Sequence, residues 1–346
     1  MKVEWRAAFQ VAAVYIGTVV GAGFATGREI VEFFSRFGLY GLFGIFVAGY
    51  LLILLGSQLL RTAAIIGAKS YEEFNEYLFG RFFGKLVNII MFFMLVGVGA
   101  VMLSGAGAVF DEQLGLSKTI GVVFTLALTA LVMAVGMKGI FAVNVFVVPA
   151  MILFNFILLY LSMKLPGISE AVLVRDRNAE WWKVLFSPVS YTAFNLSLAQ
   201  AVLVPVASEI RNDKTLKWGG ILGGLGLTVI LIFSHLTMVM LPNLEDYEIP
   251  MAVIMKNLAP GLYWLFLLII YGEIFTSIIG NMFGLDRQMQ GYMKVPRLLT
   301  VGGIFVATYI ISMFDYGLLL SYLYPIFGYI SIIFVVCLLM KPVPKR

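Results

Sequence analysis

The sequence predicts an all-helical integral membrane protein with ten transmembrane helices. Three observations carry that prediction. Hydrophobic residues fill 61 % of the 346 positions and charged residues only 12 %, and the mean hydropathy is +0.97; a soluble globular chain carries about 25 % charge. The apolar residues lie in long unbroken runs, near the roughly 20 residues of one membrane crossing. The strands of an outer-membrane barrel would instead alternate over about 10 residues. The cations are shared unevenly: with the amino terminus inside, alternate loops hold 16 Lys and Arg inside and 8 outside. That bias orients a ten-span protein with both termini cytoplasmic. The composition excludes a water-soluble enzyme and a nucleic-acid partner despite the pI of about 9.1. The lipid bilayer of the cell (inner) membrane is the expected surrounding.

The spans are read at 7–35, 39–66, 83–110, 118–137, 140–163, 184–208, 218–241, 258–285, 297–314 and 318–340. Lys138-Gly139 separates the fourth and fifth almost without a loop. Tyr71–Phe83 is amphipathic and too polar to span, so it is expected at the membrane surface. The longest polar connection, 166–183, holds Arg175, Asp176, Arg177 and Glu180, and 241–256 is a loop broken by Pro242 and Pro250. The single cysteine, Cys337, lies in an apolar run and reads as a packed or lipid-facing thiol. The single histidine, His235, excludes a multi-histidine metal site. No cleavable leader is expected, because the apolar run after Lys2 and Arg6 has no cleavage site. The whole chain, 1–346, reads as one domain of two near-equal halves, 7–163 and 184–340. Five spans is an odd number, so the second half enters from the opposite side. That is the 5+5 inverted repeat of many transporters.

Three spans are unusual inside. The first holds Gly17, Gly21, Gly23 and Gly27 within eleven residues, each weakening a helix by up to about 1 kcal/mol relative to Ala. Unpaired backbone is tolerated in a membrane only where it lines a cavity or is buried in protein. An unwound stretch facing a ligand is one reading, and small-residue helix packing is the other. The sixth span, the expected symmetry mate of the first, holds Asn195, Ser197 and Gln200 at mid-depth and Pro205 beyond them. Interruptions in corresponding spans of two halves point to a transport site, so discontinuity is expected within Gly17–Gly23 and near Ser197–Ala201. The eighth span places Glu273 in an apolar run, with Thr276, Ser277, Gly280 and Asn281 following on one helical face. An intramembrane acid beside hydroxyls suits a hard cation or a proton; a glutamate that merely bridges helices is the alternative.

These residues resemble those of the LeuT-fold transporters, the amino acid–polyamine–cation superfamily. Gly17–Phe24 resembles the unwound first helix of that group. Phe194–Leu198, with Ala207-Ser208 beyond, resembles its sixth helix, and Thr276-Ser277 falls where its eighth helix carries a hydroxyl pair. Over its whole length the chain resembles the YkvI-like bacterial membrane proteins more closely. The resemblance implies a sodium site from the carbonyls of Gly17, Val20 and Glu273 with the hydroxyls of Thr276 and Ser277. It implies a substrate pocket in which the amides of Ala22 and Gly23 hold a carboxylate and Phe194 acts as an aromatic lid. Asn195, Ser197, Gln200 and Asn281 line that pocket. Phe24 stands where sodium symporters usually place Asn, so a second sodium position is not expected, and Glu273 is itself a departure that leaves proton coupling open.

The function expected is secondary active transport, a sodium-coupled symport of a small amine-containing solute, an amino acid first of all. Proton-coupled symport through Glu273, with His235 as a relay, is the alternative within transport. A non-transporting sensor or scaffold is the alternative outside it. No enzyme is expected: H-E-x-x-H, G-x-S-x-G and a nucleotide-binding loop are all missing from the sequence. No cofactor is expected beyond sodium as coupling ion. Arg28 and Glu29, read at the outer end of the first span, are candidates for a gate with Asp111 or Asp315. Gly97, Gly99, Ser104, Gly105 and Gly107 of the third span are expected to set the pocket's size.

Overall fold

The computed structural model describes residues 2–135, 138–173, 180–210, 212–292 and 296–344. Arg175, Asp176, Arg177, Arg211, Lys294, Lys345 and Arg346, which entered the loop charge count or the loop assignment, lie outside the described residues. Among those described, the chain is helical and has no strand.

The first span is three short helices rather than one: α1 (Trp5–Val19), α2 (Ala22–Thr26) and α3 (Arg28–Phe33). Then follow α4 (Leu39–Ile66), α5 (Tyr71–Phe79) and α6 (Arg81–Ala108), which continues into a π-turn at Val109–Gln113. Next come α7 (Lys118–Val135), α8 (Lys138–Ser162), the short α9 (Ile168–Leu173), α10 (Trp181–Ile210) and α11 (Asp213–Met238). The last are α12 (Pro250–Leu258), α13 (Tyr263–Tyr292), α14 (Arg297–Ser312) and α15 (Tyr316–Met340). Among the described residues, six helices are long and apolar enough to cross a membrane: α4, α6, α10, α11, α13 and α15. Lys118–Met133, Pro149–Ser162 and Leu299–Ser312 are shorter apolar helices.

Local chemistry explains the punctuation. Ser70 caps α5 by accepting from Glu73 N at 3.4 Å, and the Glu73 carboxylate accepts from Lys69 N, one residue before the cap, at 2.8 Å. The amphipathic segment ends at Gly80 (φ 80°), so Arg81–Phe83, expected to continue it, instead open α6. Asn212 caps α11 by accepting from Thr215 N at 3.4 Å.

One expectation fails here. α10 is continuous from Trp181 to Ile210 through Pro188 and Pro205, with no unwinding near Ser197–Ala201. Several of its polar side chains are served without opening the helix. Asn195 Nδ2 donates back to Tyr191 O at 3.1 Å, Thr192 Oγ1 to Pro188 O at 2.9 Å and Ser208 Oγ to Pro205 O at 2.7 Å. Such bonds to the preceding turn let Ser, Thr and Asn sit inside an apolar helix.

Packing sorts the long helices into two groups. α1, α4, α10 and α11 pack together, and α6, α7, α8, α13 and α14 form the other side. α15 packs on both α10 and α6, while α2 leans on α13. α1 is wedged between α4 and α11 by Tyr15, whose ring lies where a side chain on Gly56 or Gly223 would collide with it. Its hydroxyl donates to Leu52 O at 3.0 Å, so the close approach leaves no buried donor idle.

The two ends are tied differently. At the end of the α1 amino terminus, Arg61 of α4 makes a bidentate pair with Asp213 of α11 at 2.7 and 3.1 Å. Gln58 Nε2 donates there to Leu338 O and Lys341 O. At the far end the connection between α11 and α12, residues 239–249, straps over several helices through backbone contacts described below.

Candidate functional site

The first-span break is the centre of the site. The last backbone bond of α1 runs from Val20 N to Ile16 O at 2.8 Å, and the first of α2 from Ala25 N to Gly21 O at 2.9 Å. The carbonyls of Gly17 to Val20 and the amides of Ala22, Gly23 and Phe24 therefore have no intrahelical partner. Val20 and Gly21 are extended (ψ 91° and −168°). A second interruption follows at Gly27, whose φ of 85° is a left-handed conformation suited to glycine.

What surrounds the break comes from five helices, α3, α6, α10, α13 and α15. A Cβ on Gly21 would lie 3.2 Å from Met102 Cε of α6 and 3.6 Å from Ser277 Oγ of α13. Asn281 Nδ2, one turn beyond Ser277, contacts Met102 Sδ at 3.8 Å. A Cβ on Gly23 would lie 2.7 Å from Glu29 Oε2 and 3.2 Å from Tyr324 Cε2 of α15. Glu29 Oε1 accepts from Asn195 Nδ2 of α10 at 3.1 Å. Thr26 Oγ1 donates to Gly23 O at 3.1 Å, so in its 2.7 Å contact with Tyr316 OH the tyrosine is the donor. Glu29, Asn195 and Phe194 are at most 6 % exposed, so the cluster is closed on itself.

The structure thus brings together the break, Ser277, Asn281 and Asn195. It separates some of the rest. Phe194 does not stand over the break as a lid; it packs on α15, 4.5 Å from the Tyr324 ring and stacked on Phe327. Gln200 Nε2 contacts Met91 Sδ at 3.8 Å, and Met91 lies about 16 Å along α6 from Met102 at 1.5 Å per residue. Ser197 Oγ is buried without a partner. Thr276 Oγ1 donates within its own helix to Glu273 O at 3.1 Å, so that carbonyl already has an acceptor role. The Glu273 carboxyl is 1 % exposed and its Oε1 has no hydrogen-bond partner. His235 does not bond Glu273; its Nδ1 meets Ser35 Oγ at 3.1 Å.

Two residues need relocating. Glu29, read from sequence as part of a solvent-side gate, is a buried partner of Asn195. The turn at Gly27 rotates α3 so that Glu29 faces inward while Arg28 faces out. Arg28 Nη1 donates to Glu245 O and to Tyr247 O; neither Asp111 nor Asp315 is its partner. A buried acid two residues after a glycine is a signal available in the sequence, but it needs the left-handed turn to be read correctly.

The far-end strap is held by backbone groups. Glu248 Oε2 accepts from Gly317 N at 2.6 Å, and Glu112 Oε2 from Ile249 N at 3.1 Å. Burial pushes the Glu248 carboxyl up from the ordinary glutamate range, and Asp315 adds to this, while the Gly317 amide, Arg28 and Lys118 oppose it. A surface groove of about 320 Å³ between α6, α13 and α14 is lined by Phe92, Phe93, Val96, Leu299 and Ile304, none of which belongs to the break.

No known protein-family profile matches the chain. It is 48 % identical over 352 residues to the uncharacterized membrane protein YkvI of Bacillus subtilis (strain 168), covering 100 % of this chain and 99 % of that one. It is 24 % identical over 349 residues to the uncharacterized protein YyaD of the same organism, covering 99 % of each. Among solved structures, the Eremococcus coleocola manganese transporter in complex with an aromatic bis-isothiourea substituted compound matches with a TM-score of 0.62. The identity is 15 %, over 97 % of this chain and 79 % of that one. Two single-residue mutants of that transporter match with a TM-score of 0.61 at 14 % identity. At such identities the likeness is one of fold.

Proposed function

The chain belongs to the family of the membrane protein YkvI and has the fold of a solved transporter, and from that footing we propose that it is a secondary active transporter. It takes up a small amine-containing solute by sodium-coupled symport and alternating access. The observation that carries this reading is the break at Val20–Gly21, which aims free carbonyls and free amides into the protein interior beside Ser277, Asn281 and Glu29. A closed, packed helix bundle has no use for such backbone, whereas a transport site does.

In this reading the short helices complete the count to ten spans, arranged as a 5+5 inverted repeat with the termini on the cytoplasmic side. Sodium is held by Gly17, Val20 and Glu273 carbonyls with the Thr276 and Ser277 hydroxyls. A site of neutral oxygens suits a hard cation, and sharing one break couples ion to solute. The solute lies against Ala22, Gly23, Asn195 and Asn281. The strap and Arg28 close the outer side, and the Arg61–Asp213 pair sits on the inner side.

The test is uptake by proteoliposomes with and without an inward sodium gradient. Thr276→Ala with Ser277→Ala is expected to abolish sodium dependence; a double variant that keeps it removes the site. The second reading, proton-coupled symport, is favoured by the unpartnered buried Glu273 Oε1. It wins if uptake follows a proton gradient without sodium and Glu273→Gln eliminates the driving force.

A further inference from the structure

We infer that the solute is an organic ammonium ion without a carboxylate next to its amine, and that Glu29 is the group that selects it. This deepens the transport reading and rests on it. The inference starts from charge. Glu32 of α3 has a cation, Arg36 Nη1 at 2.8 Å. Glu29, one turn earlier and 3 % exposed, has none among the described residues: its bonded partner is the neutral amide of Asn195. The neighbouring Arg28 is drawn away to the carbonyls of Glu245 and Tyr247. A buried carboxylate with a single neutral donor lacks compensation, and a cationic ligand supplies it.

Position then decides the class. Glu29 Oε2 lies over Gly23, 2.7 Å from where a Cβ would be. That puts a carboxylate oxygen beside the stretch whose free amides, Ala22 and Gly23, would hold a substrate carboxylate in the transport reading. The protein's own acid already occupies that neighbourhood, so an incoming carboxylate meets like charge. An ammonium meets an acceptor, with the Tyr324 ring on the same side of Gly23 to interact with the cation. A zwitterionic amino acid satisfies one half of this site and opposes the other.

The experiment measures binding separately from transport. Purified wild-type protein, Glu29→Gln and Glu29→Asp are melted against matched pairs: leucine and isoamylamine, phenylalanine and phenethylamine, lysine and cadaverine. Apparent Kd comes from the concentration dependence of Tm. Wild type is expected to bind at least one amine about tenfold or more tighter than its parent amino acid, the scale of a charged hydrogen bond. Glu29→Gln is expected to erase that gap, and Glu29→Asp to keep its direction, which excludes simple misfolding. The inference is overturned if the amino acids bind as tightly as the amines, if no amine shifts wild type, or if Glu29→Gln leaves amine Kd unchanged. Amine preference without uptake in proteoliposomes overturns the transport reading alone; amino acid uptake without amine preference overturns only this inference.

Discussion

α10 carries two prolines and Asn195, Ser197 and Gln200 through its middle, yet stays helical for 30 residues. The first span has no proline and breaks after 15 residues. The contrast teaches that neither polarity nor a missing N–H opens a helix in apolar surroundings. Opening requires positions with no side chain to lose, here Gly21 and Gly27, and it requires other groups to hold the pieces. α10 is held by its own ladder. α2, α3 and the turn after them are held from outside: Thr26 by Tyr316, Glu29 by Asn195, Ser35 by His235, and Phe33 O by Ser187 Oγ at 2.5 Å. A segment held by side chains moves when those side chains change partners, which is what a gated site needs.

The largest effect that tests this contrast is expected at Gly23. A Cβ there meets Glu29 Oε2 at 2.7 Å, Glu29 Cβ at 3.1 Å and Tyr324 Cε2 at 3.2 Å. Gly23→Val should displace Glu29 and lower solute uptake by about 100-fold, the cost of misplacing a binding group by an ångström, at equal amounts of protein in the membrane. Normal uptake by this variant would mean that the break is only a packing device.

Next come two substitutions within α10. Asn195→Ala removes the one hydrogen bond given to a buried acid, and should lower stability by about 1–3 kcal/mol. Ser197 Oγ is buried with no partner among the described residues, so Ser197→Ala removes an uncompensated hydroxyl and should be neutral or slightly stabilising. Thermal melting in detergent, with tenfold excess ligand left out, compares them directly. Equal losses at both positions would show that α10 is uniformly sensitive and that the Glu29–Asn195 tie is nothing special.

Much of this was legible beforehand. Long apolar runs announced the helices because lipid admits little else, and the clustered glycines announced the break. The continuity of α10 was not legible, because a polar residue's choice between opening a helix and bonding back four residues depends on its rotamer, as Asn195 shows. Gln200 was misread for a related reason: it shares α10 with Asn195 but lies more than a turn further along, against Met91. Glu29 is not placed by the sequence, which reads it beside Arg28 at the outer end, because the left-handed turn at Gly27 buries Glu29 and leaves Arg28 half-exposed.

The smallest expected effect concerns the strap over α3. Around Glu248 stand Arg28 of α3, Glu112 within the π-turn, Lys118 of α7, and Asp315 and Gly317 at the start of α15. Burial raises the Glu248 carboxyl when the strap is seated, so the seated strap holds its proton to higher pH than the lifted one. Below the ordinary glutamate pKa both forms are protonated and seating is unaffected. As pH climbs through the raised value, the ionised carboxylate disfavours burial and seating weakens. The sign is therefore looser at higher pH. Ile249 is fully buried beneath the strap, so Ile249→Cys, in a Cys337→Ser background that removes the only native cysteine, reports lifting through a membrane-impermeant maleimide. Thiol reactivity itself rises with pH, so the readout is the labelling rate relative to the same protein carrying Glu248→Gln, whose neutral side chain mimics the protonated form. That ratio should be near one at low pH, where both forms are protonated, and rise as pH climbs through the raised range of the buried carboxyl. A flat ratio would mean that the strap is held by Arg28 and the backbone alone, and that the broken helix has no pH-sensitive tie.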